Sequence, residues 1–207
     1  MKITSLALAA TLLALPLFGQ QSFSVSDGTT SVDLDDDLLA SIGWSVTGAF
    51  DTVTPAAGFD VGFDILETST FNYDENPFAI NFGEITHVGT VTLSSDGTSA
   101  PAGDVTVGNF TIDSGLNIID TATTGAALFT GSPTFVDSTS VPGQLIVEGD
   151  LLITEALSNV LVGNTSLAGT DAGNFQVNAI PEPSTYFLGG LAIMTGVIIR
   201  RMRKNKS

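Results

Sequence analysis

The sequence predicts an all-β protein: a single β-sandwich or barrel-like ectodomain between an N-terminal signal peptide and a C-terminal membrane-anchor helix. Three observations predict this. Short runs of alternating apolar and polar residues recur between turns rich in Gly, Asn and Asp, the pattern of half-buried strands. Thirteen Phe supply core material and 22 Gly supply turns, and there is no Cys to form a disulfide. Charge is segregated. The six Lys and Arg are Lys2, Arg200, Arg201, Arg203, Lys204 and Lys206, and all 22 Asp and Glu lie between Ile3 and Ile199.

Residues 1–19 read as a secretory signal peptide. Lys2 is the positive start, and Leu6 to Phe18 is an apolar run too short to span a bilayer comfortably. Residues 20–179 form one acidic all-β ectodomain, long enough for a real core. Ser22 to Ser26 reads as a strand ending at an Asp27-Gly28 hairpin turn. Asp36 to Ile42 reads as a short helical turn. Ile42 to Phe50 and Phe59 to Leu66 alternate as strands, with Phe59, Val61, Phe63 and Ile65 on one face. Phe78 to Phe82, Ile85 to Leu93 and Val105 to Ile112 follow as strands. Gln144 to Val147 and Leu151 to Thr154 read as strands around a turn at Glu148-Gly149-Asp150. Asp150 to Gly163 is ambiguous between strand-then-turn, the preferred reading, and a helix capped by Asp150.

The ectodomain's charge bounds its function. With no Lys or Arg it repels phosphates, so nucleic acid is not a partner. Self-repulsion is expected to raise carboxylate pKa values and make mild acid stabilising.

The tail, residues 180–207, has three parts: Pro181-Glu182-Pro183-Ser184-Thr185, an uncharged apolar run over residues 186–199, and a basic cluster over residues 200–206. The two prolines make a stiff, extended entry. Fourteen residues of helix span about 21 Å, short of a bilayer core of about 30 Å, and snorkelling Arg200 and Arg201 extend the reach. An apolar run closed by Arg200, Arg201, Arg203 and Lys204 is a stop-transfer pattern that keeps its basic end cytoplasmic.

This tripartite tail resembles the PEP-CTERM sorting signal of exopolysaccharide-producing bacteria. The resemblance covers residues 180–207 only. It implies recognition by an exosortase-type transpeptidase, a membrane-anchored stage through one C-terminal helix, and transfer to the cell surface or extracellular matrix. The same signal is also carried by some ice-binding proteins.

Asp33, Asp35 and Asp37 alternate as in calcium loops, but Leu38 and Trp44 stand where an EF-hand needs Gly and Glu. A looser calcium site and a solvated acidic turn are both carried forward. His87 is the only histidine, and no nucleophile motif accompanies it, so it reads as structural. Thr-x-Thr pairs at Thr52, Thr68, Thr90 and Thr121 lack the regular spacing of an ice-binding array. The sequence therefore points away from an enzyme. The leading expectation is a structural or adhesive protein of an exopolysaccharide layer, with extracellular polysaccharide as a partner. The alternatives are a calcium-dependent carbohydrate-binding module and, behind it, an ice-binding-like protein or secreted hydrolase.

Overall fold

The computed structural model of the chain describes residues 22–98, 103–140 and 144–183. The signal peptide expected over residues 1–19 lies outside these, as do Ser184, Thr185, the apolar run and the basic cluster. Among the described residues no helix is long and apolar enough to cross a membrane.

Strand β1 (Ser22–Leu34) is the spine. The turn expected at Asp27-Gly28 is instead a bulge inside it, with the register shifting between Val25 and Asp27. Gly28 sits at φ +129°, and a Cβ there would stand 2.2 Å from the Asn178 carbonyl oxygen. Glycine is needed because two strands approach closely, not because the chain reverses. Helix α1 (Asp36–Ser41) follows as expected. Asp35 caps it, accepting from the Leu38 N–H at 2.8 Å, and Asp36 and Asp37 occupy its first turn.

Next come β2 (Trp44–Phe50), β3 (Val61–Ile65), β4 (Asn72–Glu75) and β5 (Phe78–Phe82). The run from Ile85 to Leu93, expected as one strand, is bent at Gly89 into β6 (Glu84–Val88) and β7 (Thr90–Ser95). The run from Val105 to Ile112 is bent in step, into β8 (Asp104–Gly108) and β9 (Thr111–Asp113). Then come β10 (Asn117–Ile119), β11 (Ala127–Asp137) and β12 (Leu145–Ile153). The turn expected at Glu148-Gly149-Asp150 is absent. All three residues pair with β11 on one side, and also with the last strand on the other. Helix α2 (Glu155–Val162) settles the ambiguous segment: β12 ends at Ile153, Thr154 is the N-cap, and Gly163 closes the helix in the left-handed region. Strand β13 (Asp171–Pro183) ends the described chain. It crosses the expected domain boundary at residue 180, and Pro181, Glu182 and Pro183 pair with Val25, Ser24 and Phe23.

Eight strands close a barrel in the order β1-β3-β6-β9-β10-β11-β12-β13, with β13 returning antiparallel to β1. The sequence's choice between sandwich and barrel thus resolves to a barrel. The β4–β5 hairpin extends from the start of β1, where β3 does not reach. Strands β2, β7 and β8 form a separate three-stranded sheet, whose Trp44, Val91, Leu93 and Val107 are buried. Strand polarity puts both ends of the described chain at one pole, where Phe23 faces Pro183. Both helices lie toward the other pole, after Leu34 and after Ile153.

The bend is built, not slack. Thr86 pairs with Thr111, but Thr90 pairs with Gly108, so the ladder slips by one residue between β6–β9 and β7–β8. A Cβ on Gly108 would stand 2.2 Å from the Gly89 carbonyl oxygen. Asp120, fully buried, holds the bend from outside the ladder. Its carboxylate accepts from Gly108 N–H at 2.8 Å, Ala122 N–H at 3.1 Å, Thr124 N–H at 2.6 Å and Thr124 Oγ1 at 2.7 Å. Asp120→Ala would leave the buried Gly108 N–H unmet and take the acceptor from the exposed turn at Ala122 and Thr124. It is expected to cost about 1–3 kcal/mol in urea unfolding, with Asp120→Asn costing less. An alanine variant as stable as the parent would show that the bend does not depend on this carboxylate.

Candidate functional site

An eight-stranded barrel has an interior just wide enough to be filled by side chains or to hold one small ligand. Here the upper half is not filled. A chamber of about 410 Å³ lies between the barrel interior and the inner face of the three-stranded sheet. The barrel contributes Phe63, Phe110, Phe129 and Phe175, the small sheet Val91, Leu93 and Val107, and α2 its Leu157. The chamber's floor includes Ile112, Ile118 and Phe175, which also line a void of about 40 Å³ toward the pole of the chain ends.

The mouth lies where β2 passes β1 and β3. Val32, Leu34, Val46 and Val61 are half-buried there, and Gly48, Ala49, Asp36 and Asp60 are exposed. Strand β2 is hydrogen-bonded only to β7, so its other edge borders the opening. Trp44 steadies its start, donating from Nε1 to the Leu161 carbonyl at 2.8 Å, one of the last-turn carbonyls a helix leaves unpaired.

Two polar side chains stand deep in the wall, Thr30 on β1 and His87 on β6, at 5 % and 3 % exposure. His87 shares its inward face with Ile85, opposite Thr86 and Val88, as strand alternation predicts. Its Nδ1 lies 2.9 Å from the Phe110 carbonyl oxygen, and its Nε2 lies 2.7 Å from Thr30 Oγ1. A carbonyl only accepts, so Nδ1 carries the hydrogen. Burial pushes the ring's pKa down to about 4, despite the Phe110 bond acting in the opposite direction, so at neutral pH the ring is uncharged. Nε2 is then a lone pair that accepts from the Thr30 hydroxyl.

The acidic cluster does not converge. Asp35 is used as the α1 cap, while Asp36 and Asp37 point from an exposed first turn. Asp33, on β1, has Asp60 as its nearest acidic neighbour. Partial burial, then the charges of Asp60, Asp36 and Asp35, push its carboxyl up. Among the described residues no three acidic or histidine side chains are placed to hold a metal ion, so Asp33, Asp35 and Asp37 are not brought together as calcium ligands. Of the residues expected to form a sorting motif, Pro181 to Pro183 continue β13 beside β1, with Glu182 exposed.

By sequence, no protein-family model and no curated protein matches the chain. By structure, it is similar to the C-terminal domain of HtaA from Corynebacterium glutamicum. The TM-score is 0.51 at 12 % identity, over 77 % of this chain and 99 % of that one. At that identity the likeness is one of fold: the β architecture has a solved counterpart.

The chamber was not legible in the sequence, because non-local pairing brings its walls together. The available signal was a histidine on the apolar face of a strand.

The carboxylates correct the expectation of general upward shifts. Partial burial would raise Asp113, and burial Asp120, yet hydrogen bonds from Asn117 and Gly115, and from Thr124, Gly108 and Ala122, hold both below the usual range. Asp96 and Asp137 are held down by Thr98 and Ser140 in their turns. Among the carboxylates with a resolved shift in the described residues, Asp33 alone is pushed up. The stability these four lowered carboxylates contribute is present above the ordinary carboxylate range and is lost only as pH falls through their lowered values. His87 titrates near 4 when folded and near its usual 6.5 when unfolded. Between those values the unfolded chain binds the extra proton. The contribution is full above about pH 6.5 and falls by about 2 kcal/mol between pH 7.5 and 5. Urea midpoints over this range should fall for the parent and flatten in His87→Gln. An unchanged slope in the variant would remove His87 as the cause.

Proposed function

We propose that this chain is an exported, surface-displayed binding protein without catalytic activity, whose working part is the barrel chamber and whose ligand is a small apolar molecule. One observation carries the reading: a chamber of about 410 Å³ with largely apolar walls in an otherwise packed core. Protein interiors leave few voids larger than a water molecule. Apolar cavities lined by aliphatic and phenyl groups stay dry and take up small apolar molecules. At roughly 24 cal/mol per Å³ an unfilled chamber of this size would carry a penalty comparable with a small domain's whole stability, as an upper bound for a chamber with a mouth.

Export and display rest on the sequence: the signal peptide over residues 1–19 and the PEP-CTERM-like tail from residue 180. In this reading an exosortase-type transpeptidase processes the tail, and the protein passes from the membrane to the cell surface or extracellular polysaccharide. The fold is compatible with that route. Both ends of the described chain leave one pole, so a tail embedded in a membrane would leave the chamber's pole facing outward. A structural or adhesive role in the exopolysaccharide layer is the second reading, favoured by the exposed rings of Phe50, Phe82 and Phe135. Calcium has no part in either reading.

Two outcomes are expected. Nile red, an uncharged dye, should bind the ectodomain with a blue-shifted emission at one site. Val46→Trp, placed at the half-buried mouth, should abolish that site without unfolding the barrel. Equal dye binding by the variant would put the dye elsewhere. Replacing Pro181, Glu182 and Pro183 by Ala should leave an uncleaved, membrane-bound form in cell fractionation, and normal processing would sink the tail assignment.

A further inference from the structure

We infer that the chamber selects an uncharged apolar molecule bearing a hydroxyl group, whose O–H is donated to Thr30 Oγ1. This rests on the chamber being a ligand site, and it follows from a count of hydrogens in the wall. The two deep polar side chains have three hydrogen-bonding atoms: Thr30 Oγ1, His87 Nδ1 and His87 Nε2. Nδ1–H is donated to the Phe110 carbonyl at 2.9 Å. The single hydroxyl hydrogen of Thr30 is donated to Nε2 at 2.7 Å. Neither side chain has a donor left, and what remains is the acceptor capacity of Thr30 Oγ1.

A ligand carbonyl, ether or carboxylate placed deep in the chamber would therefore meet no side-chain donor. A hydroxyl would meet an acceptor. Charge sharpens the choice. No Lys or Arg occurs between Ile3 and Ile199. The charged side chains that line the chamber are Asp36 and Asp60, at its mouth. An anionic head would be buried without a partner if it pointed inward, and would face like charges if it pointed outward. Burial keeps the His87 ring neutral, so it supplies no cation at neutral pH. The apolar body of the ligand finds its surroundings in Phe63, Phe110, Phe129, Val91 and Leu93.

The test uses three probes with one decyl chain: decanol, decyl methyl ether and decanoate, each displacing Nile red from the ectodomain at neutral pH. Decanol should bind best. The ether should be weaker by about three- to tenfold, the worth of one neutral hydrogen bond. Decanoate should be weaker by at least about tenfold. Thr30→Val combined with His87→Phe, which removes Oγ1 without freeing Nε2 as a substitute acceptor, should reduce decanol to the level of the ether, and Thr30→Ser should keep the preference. If the double variant fails to fold, the order of the three probes in the parent and in Thr30→Ser still decides. Ether or decanoate binding as well as decanol would overturn the inference while leaving the chamber a ligand site, as would a decanol preference that survives the double variant. Failure of the dye and of every probe to bind would overturn the chamber reading itself, and this inference with it.

Discussion

The antiparallel ladder between β1 and β13 is the constraint on which the rest depends. It runs from Phe23 opposite Pro183 to Leu34 opposite Gly173, and it converts an open ten-stranded sheet into a closed barrel. Closure removes two edges that would otherwise invite pairing with other chains. It also joins the first and last described strands, so the barrel cannot form until the whole domain has been made. Such non-local pairing is slow to form and leaves strand edges exposed meanwhile. For a chain with no cysteine, a strong net negative charge is a physical defence during that interval, because like-charged chains repel.

The absence of Lys and Arg between Ile3 and Ile199 shapes the interior as much as the surface. With no cation to pair with, a buried carboxylate must be met by N–H and O–H groups. Asp120 is met so at the bend between β8 and β9. That bend lays the β7–β8 pair and β2 over the barrel and makes room for the chamber. The neutral His87–Thr30 pair follows the same rule: buried polar groups here are met by uncharged hydrogen-bonding partners.

The sequence made the fold class legible and left the topology hidden, for physical reasons. Alternation in Phe59 to Leu66 and Val105 to Ile112 marks strands because a sheet with one buried face imposes a period of two. The same alternation cannot show that Val105 to Ile112 bends at Gly108, because the bend is fixed by Asp120, twelve residues away. Asp27-Gly28 and Glu148-Gly149-Asp150 have turn chemistry, yet both lie inside strands, the first paired to β13 and the second to β11 and β13, where tertiary pairing overrides local preference. Strand β13 is obscured for a related reason, since its Gly173, Asn174, Asn178 and Pro181 read as loop residues. Asp33, Asp35 and Asp37 look like one site in sequence and divide between a strand and a helix start in space.

The central claim is that the chamber is occupied by a small molecule in the working protein. Native mass spectrometry of the ectodomain, isolated from the cells that make it, tests this most directly. The account predicts a mass increment from one bound uncharged molecule, lost when the protein is unfolded and recoverable in the organic phase. A single species at the bare polypeptide mass, obtained under conditions that retain an added decanol, would contradict it.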